Sequence, residues 1–176
     1  MFEWLNHNIS LVTLLWLFPI TFLVHDFEEI LFVERWFKKN YSTTSHKVPE
    51  FFRHTFQKMS TITAAQFTLP VALQFFVYII STYFAVEHQY YPMFLGFNLI
   101  LLLHVFMHIG QSMLLGVYAL GLGTAVTVTL PYSIYLFYRL VDEGIVEIST
   151  ILTSLPYGLI TILIVLLGHK MAHKLL

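Results

Sequence analysis

Five runs of about 20 or more mostly apolar residues constrain this chain more than any other feature. They cover about 9–32, 61–86, 92–117, 120–140 and 148–168. A helix needs about 20 such residues to cross the hydrocarbon core of a bilayer. The runs predict an all-α fold: a polytopic membrane helix bundle of about five transmembrane helices. The whole of 1–176 then forms a single transmembrane domain, with a longer cytoplasmic loop at 33–60. Composition supports this reading, because only 11% of residues are Asp, Glu, Lys or Arg, against about 25% in a soluble domain that must coat itself with charge. Nine basic residues and a net charge of −1 argue against a nucleic-acid partner. Without Cys there is no disulfide, thiolate metal site, iron–sulfur cluster or Cys nucleophile. The first run lacks a basic n-region and a small-residue cleavage site, so it reads as a span and not as a cleavable signal peptide.

The basic residues predict the orientation. Arg35, Lys38, Lys39, Lys47, Arg53 and Lys58 fall between the first two spans, and Lys170 and Lys174 follow the fifth. Five crossings put eight of the nine positive charges on one face, leaving Arg139 on the other. The expectation is an N-terminus outside and a C-terminus in the cytoplasm, in the membrane of a bacterial cell. Residues 41–45 read as loop by composition. Residues 49–58 read as an interfacial helix or the early part of span two, with Phe51, Phe52 and Phe56 on its apolar side. Gly121 and Gly123 permit a tight reversal between spans three and four.

Histidine is as abundant as Lys and Arg together, at nine residues. Two groups fall inside spans. In the first span, Glu28 and Glu29 follow His25 by three and four residues, which places all three on one helix face. In the third, His104 and His108 are four apart and Gln111 continues their stripe. Both spans run in the same direction. His25 and His108 each lie 16 residues from their span's start, about 24 Å down. Carboxylates within a span cost about 2.5–3.5 kcal/mol each near the centre, and a cation between them relieves that cost. His25, Glu28, Glu29, His104 and His108 are therefore the candidate metal ligands, with Glu28 and Glu29 the candidate catalytic carboxylates. Such donors suit Zn, Fe or Mn, as one or two ions. His54, Gln111 and Asn98 are further candidates. Tyr118 and Thr124 flank the glycine turn, where they can orient a ligand. His7, His46, His88, His169 and His173 fall in loops or ends.

The segment His25-Asp-Phe-Glu28-Glu29, with Asn98, His104 and His108 in the third span, resembles the HXXEE-motif family of integral membrane proteins. That family also tends to a Tyr-x-Pro-Gly turn before a Thr, and here Tyr118-Ala-Leu-Gly-Leu-Gly-Thr124 lacks the Pro. The resemblance covers most of the chain. It implies a shared His/Glu site and says little about substrate.

Three functions compete. The first is an intramembrane metalloenzyme, hydrolytic or oxidative, acting on a lipid-like or isoprenoid-like substrate, with Glu29 as general base or second-metal ligand. The second is a proton or metal-ion transporter that uses the same cluster. The third is a non-catalytic lipid-binding scaffold. Membrane lipids are the expected surroundings in every case.

Overall fold

A computed structural model describes residues 2–176, and among them there is no strand. A short helix, α1 (Phe2–Asn8), leads into α2 (Leu11–Thr44). The start of α2 is set by Ser10, whose side chain accepts the Thr13 amide at 3.1 Å, an N-cap that satisfies one orphan donor. With 34 residues, α2 is about 50 Å long and overruns the expected span end at 32. The loop expected from 33, including 41–45, is corrected: the helix persists to Thr44 and a 3₁₀ turn follows at Ser45–Lys47. The cause is the core-facing stripe. Phe18, Phe22, His25 and Glu29 are followed at four-residue steps by Val33 and Phe37, all buried. Residues 34–40 contain neither Gly nor Pro, so charge alone does not end a helix whose apolar face continues.

The amphipathic helix α3 (Glu50–Met59) buries no residue and leaves Phe51 exposed, as an interfacial helix does. Next comes α4 (Ala64–His88), which opens on a reciprocal capping box of Thr63 and Gln66. Pro92 begins α5 (Pro92–Leu115), and Gly116 ends it at φ 69°. Then α6 (Leu122–Thr124), a π-helical turn at Ala125–Thr129 and α7 (Leu130–Asp142) continue as one rod. In the π turn the Leu130 amide reaches back to the Ala125 carbonyl. This wider winding directly precedes Pro131, which has no amide to donate. Finally α8 (Ile148–Thr153), α9 (Leu155–Gly158) and α10 (Ile160–Leu175) form a second composite rod. His169 and His173 extend that helix.

Four stretches are long and apolar enough to cross a bilayer: Leu11–Lys47, Ala64–His88, Pro92–Leu115 and Ile148–Leu175. They make the chain a multi-pass membrane protein with a helical bundle. The run expected at 120–140 is not among the four, because Thr124, Thr127, Thr129, Ser133 and Arg139 dilute it. It nevertheless runs antiparallel to the apolar part of α2. Thr124 meets His25 and Glu28, the Tyr132 hydroxyl donates to the Leu14 carbonyl, and Arg139 donates to the Ile9 carbonyl. Thr129 and Ser133 are buried where the rod packs on α2 and α5, and the exposed Thr127 donates its hydroxyl to the Gly123 carbonyl of its own helix at 2.7 Å.

The rest of the bundle packs around these elements. One side of α4 lies along α2 and the other along α10, while α5 lies on α9. At that last crossing Gly96 and Gly158 face each other, and a Cβ on either would strike the other's backbone; small residues let the two helices approach. An aromatic core surrounds Tyr78, whose ring lies 4.6 Å from Phe18, 4.7 Å from Phe22 and 5.0 Å from Phe97. The functional groups begin one helical turn beyond Phe22.

Candidate metal centre

Two helices and one turn build the site. From α2 come His25, Glu28 and Glu29; from α5 come His104 and His108; the turn from Gly116 to Thr124 closes beneath them. The ligand atoms of His25, Glu29, His104 and His108 all lie within 4.8 Å of one another. The Nε2 atoms of His104 and His108 are 2.9 Å apart, and His108 Nε2 is 3.3 Å from Glu29 Oε1. Ligands on a tetrahedral ion with bonds of about 2.1 Å stand roughly 3.4 Å apart, so these side chains need little movement to share one. The His25 ring is 5.4 Å from that of His104 and 5.0 Å from that of His108.

The orientation of His25 tests whether the donors suit a cation. Its Nδ1 is 3.1 Å from Thr124 Oγ1, while its Nε2 is buried without a hydrogen-bond partner. Thr124 has one hydroxyl proton, which it donates to Glu28 Oε2 at 2.6 Å. Its oxygen can then only accept from His25 Nδ1–H, which leaves the lone pair on Nε2. A buried lone pair without a partner is costly. A ligand nitrogen whose other ring nitrogen is tied to a second group is how metal-binding imidazoles are held. The residues present therefore fit a metal ion.

Glu28 behaves differently from its neighbour. It stands outside the cluster, held by three donors: the Thr124 hydroxyl, the Thr124 amide at 2.8 Å and the Tyr118 hydroxyl at 2.5 Å. Tyr118 in turn accepts the Gly123 amide at 2.6 Å. Burial and donation to Glu28 push the Tyr118 hydroxyl above its ordinary pKa, so it remains a neutral donor. The expectation of Glu28 as a ligand is thus revised: it anchors the turn and, through Thr124, sets the tautomer of His25.

The other candidates separate. Gln111 lies outside the cluster but lines an adjoining cavity. Asn98 is buried one to two turns before His104 and donates to the Phe94 carbonyl of its own helix at 2.8 Å. His54 is exposed on α3, away from the cluster.

One residue was legible only as a turn former. Gly121 has φ +82°, and a Cβ there would fall 2.7 Å from Glu29 Oε1, 2.9 Å from His108 Cε1 and 3.0 Å from His25 Cε1. The bare glycine is the floor of the cluster.

A cavity of about 520 Å³ opens beside Glu29, His104 and His108. Its other walls are mostly apolar: Phe37 of α2, Phe52, Phe56 and Met59 of α3, Phe67 of α4, and Met107 and Leu114 of α5. On α3 the lining positions 52, 55, 56 and 59 form one helical face.

The fold and site define a multi-pass helical membrane protein with a His/Glu group, gathered from two helices, that can hold a metal ion. The chain belongs to the family described as protein of unknown function with HXXEE motif, whose model matches residues 16–136. That match takes in the motif on α2 and both histidines of α5. No curated protein and no solved structure matches the chain.

Because Thr124 fixes His25 and Glu28 together, Thr124→Val should lower metal affinity about 10–100-fold, the usual effect of losing such an outer partner. Titration with a competing chelator measures it. Unchanged affinity would remove Thr124 from the site.

Proposed function

We propose that the protein is an intramembrane metalloenzyme that acts on a lipid-like or isoprenoid-like substrate. The observation that carries this reading is the juxtaposition of the His/Glu cluster with the apolar cavity: Glu29, His104 and His108 of the cluster line the end of a space walled by aromatic and aliphatic side chains. Sites for small apolar ligands have this composition, with a few convergent polar groups.

In this reading His25, His104 and His108 hold one Zn, Fe or Mn ion, the three-ligand arrangement that leaves a position open. The ion supplies Lewis-acid polarisation and makes water acidic at neutral pH. Glu29 accepts the released proton, since its carboxylate lies beside His108 and lines the cavity. Glu28, Tyr118 and Thr124 keep His25 pointed inward. The apolar walls hold the substrate chain and keep bulk water out. In this reading the N-terminus lies outside and the cluster towards the cytoplasmic leaflet, the side on which the positive-inside rule puts Arg35, Lys38 and Lys39 at the end of α2 and Lys47, Arg53 and Lys58 after it.

A transporter needs an aqueous route to both faces. The aromatic core of Phe18, Phe22, Tyr78, Phe94 and Phe97, all buried, occupies one side of the cluster, which favours the enzyme. The experiment is elemental analysis of protein purified in detergent without chelator or added metal. About one ion per folded chain is expected, and its identity separates hydrolysis from oxidation. Folded protein without metal would sink the proposal.

A further inference from the structure

Five buried side-chain atoms among the described residues have no hydrogen-bond partner: His25 Nε2, His108 Nδ1, Asn98 Oδ1, Thr129 Oγ1 and Ser133 Oγ. The two imidazole nitrogens belong to the metal centre. The other three atoms do not. Asn98 and Ser133 are 0% exposed and Thr129 is 1% exposed, and an unpaired polar group at such depth is costly.

The packing of the helices puts these three residues in one layer. On α5, Asn98, Leu101, Val105 and His108 are buried at steps of three and four, so Asn98 shares the inward face of His108. The Phe94 ring lies 5.4 Å from that of Phe18, and the His104 ring 5.4 Å from that of His25. Asn98 therefore stands beside α2 between Phe18 and His25. The rod of α6 and α7 passes the same stretch of α2. Tyr132 donates to the Leu14 carbonyl and Thr124 meets His25, so Thr129 falls between those two contacts. Ser133, four residues after Thr129, stands above it on the same face. Both the π turn and α7 pack on α5.

The two hydroxyls depart from the habit of this chain. Thr68, Ser81, Thr82 and Thr127 turn back to carbonyls of their own helices at 2.7–2.9 Å, the common resort of a hydroxyl on a helix. Thr129 and Ser133 make no such bond. The Asn98 amide nitrogen donates to the Phe94 carbonyl at 2.8 Å, which leaves Oδ1 as an acceptor in want of a donor. All three groups are uncharged, so they would not neutralise a cation held within a span. They suit a small neutral ligand that both donates and accepts. Buried water, with about three hydrogen bonds, is such a ligand.

We propose that Asn98, Thr129 and Ser133 bind an ordered water molecule inside the bundle. The water donates to Asn98 Oδ1 and is shared with the two hydroxyls. It ties α5, which supplies His104 and His108, to the rod whose Thr124 orients His25. Such a site requires neither metal nor substrate, so it stands or falls apart from the enzyme reading.

Thermal unfolding in detergent tests the site through the sign of the effect. Removing a hydroxyl that holds the water costs a bond, so Ser133→Ala and Thr129→Val should each lower the melting temperature by about 2–4 °C. The double variant should fall by less than the sum, because all three groups share one molecule. In a dry layer the same substitutions remove an unsatisfied hydroxyl, and a melting temperature that rises or stays level overturns the proposal. Additive losses also overturn it, since the hydroxyls would then act separately. Replacing sodium chloride by choline chloride should leave the melting temperature unchanged. A sodium-dependent stabilisation that Ser133→Ala abolishes would make the ligand an ion and overturn the water. A crystal structure that resolves ordered water gives an independent reading. A peak within about 2.7–3.2 Å of Asn98 Oδ1 and of at least one hydroxyl is expected; a direct bond from either hydroxyl to Asn98, with no peak, overturns the site.

Discussion

His108→Ala is expected to strip the metal from the protein, lowering its affinity by more than about 100-fold, beyond the loss usual for an outer partner. His108 is the centre of the cluster: its Nε2 is 2.9 Å from His104 Nε2 and 3.3 Å from Glu29 Oε1, and its ring is the nearer of the two to His25. Gln111 continues the same stripe and lines the cavity, but it is exposed. The substitution also leaves a void in a buried place, at a cost of about 1–3 kcal/mol, so retention of fold is checked by thermal unfolding in detergent. His104→Ala should behave alike. His54→Ala, on the exposed face of α3, should keep both metal and stability. Glu29→Gln should keep the ion and lose turnover, because the carboxylate is assigned to the proton and not to the ion. A His108→Ala protein that retains full metal content would show that the ion, if any, lies elsewhere.

The contrast between Glu28 and Glu29 shows how much of this site can be read from sequence. Helical phase puts both beside His25, and two parallel spans put His104 and His108 at the same depth. Those relations follow from spacing alone, and the structure gathers His25, Glu29, His104 and His108. Spacing could not assign the two carboxylates different tasks. That depends on Tyr118 and Thr124, about 90 residues away and brought under α2 by a turn, a contact without a local signal. The same limit explains α2. Its charged segment after residue 32 resembles a loop in composition, but Val33 and Phe37 keep the buried stripe alive and Trp36 reaches the distant Tyr118 carbonyl. The rod of α6 and α7 gives the converse case. Its hydroxyls weaken its apolar signal: α2 and α5 cover those of Thr129 and Ser133, and Thr127 bonds its own backbone.

Gly121→Ala should damage the site more than any other single methyl added to the chain. Two penalties act together. The backbone at φ +82° is left-handed, which costs a non-glycine residue roughly 1–2 kcal/mol. The new Cβ would also stand 2.7 Å from Glu29 Oε1 and within 3.0 Å of carbons in the His108 and His25 rings, and no real Cβ is accommodated there unless the ligands move apart. Two other glycines separate these effects. Gly144 has φ +66° but open space around it, so Gly144→Ala carries the backbone cost alone and should lower the melting temperature without touching metal affinity. Gly110 lies in α5 with nothing near its missing Cβ, so Gly110→Ala should be neutral or stabilising by up to about 1 kcal/mol, since alanine is the better helix former. Gly121→Ala is expected to match Gly144→Ala in its strain and to add a loss of metal affinity of at least about tenfold, as an outer-partner loss does. Chelator competition and thermal unfolding on the three variants measure both quantities. If Gly121→Ala proved no worse than Gly144→Ala in metal affinity, the close approach of this turn would be a matter of packing, and Gly121 would not form the floor of the metal centre.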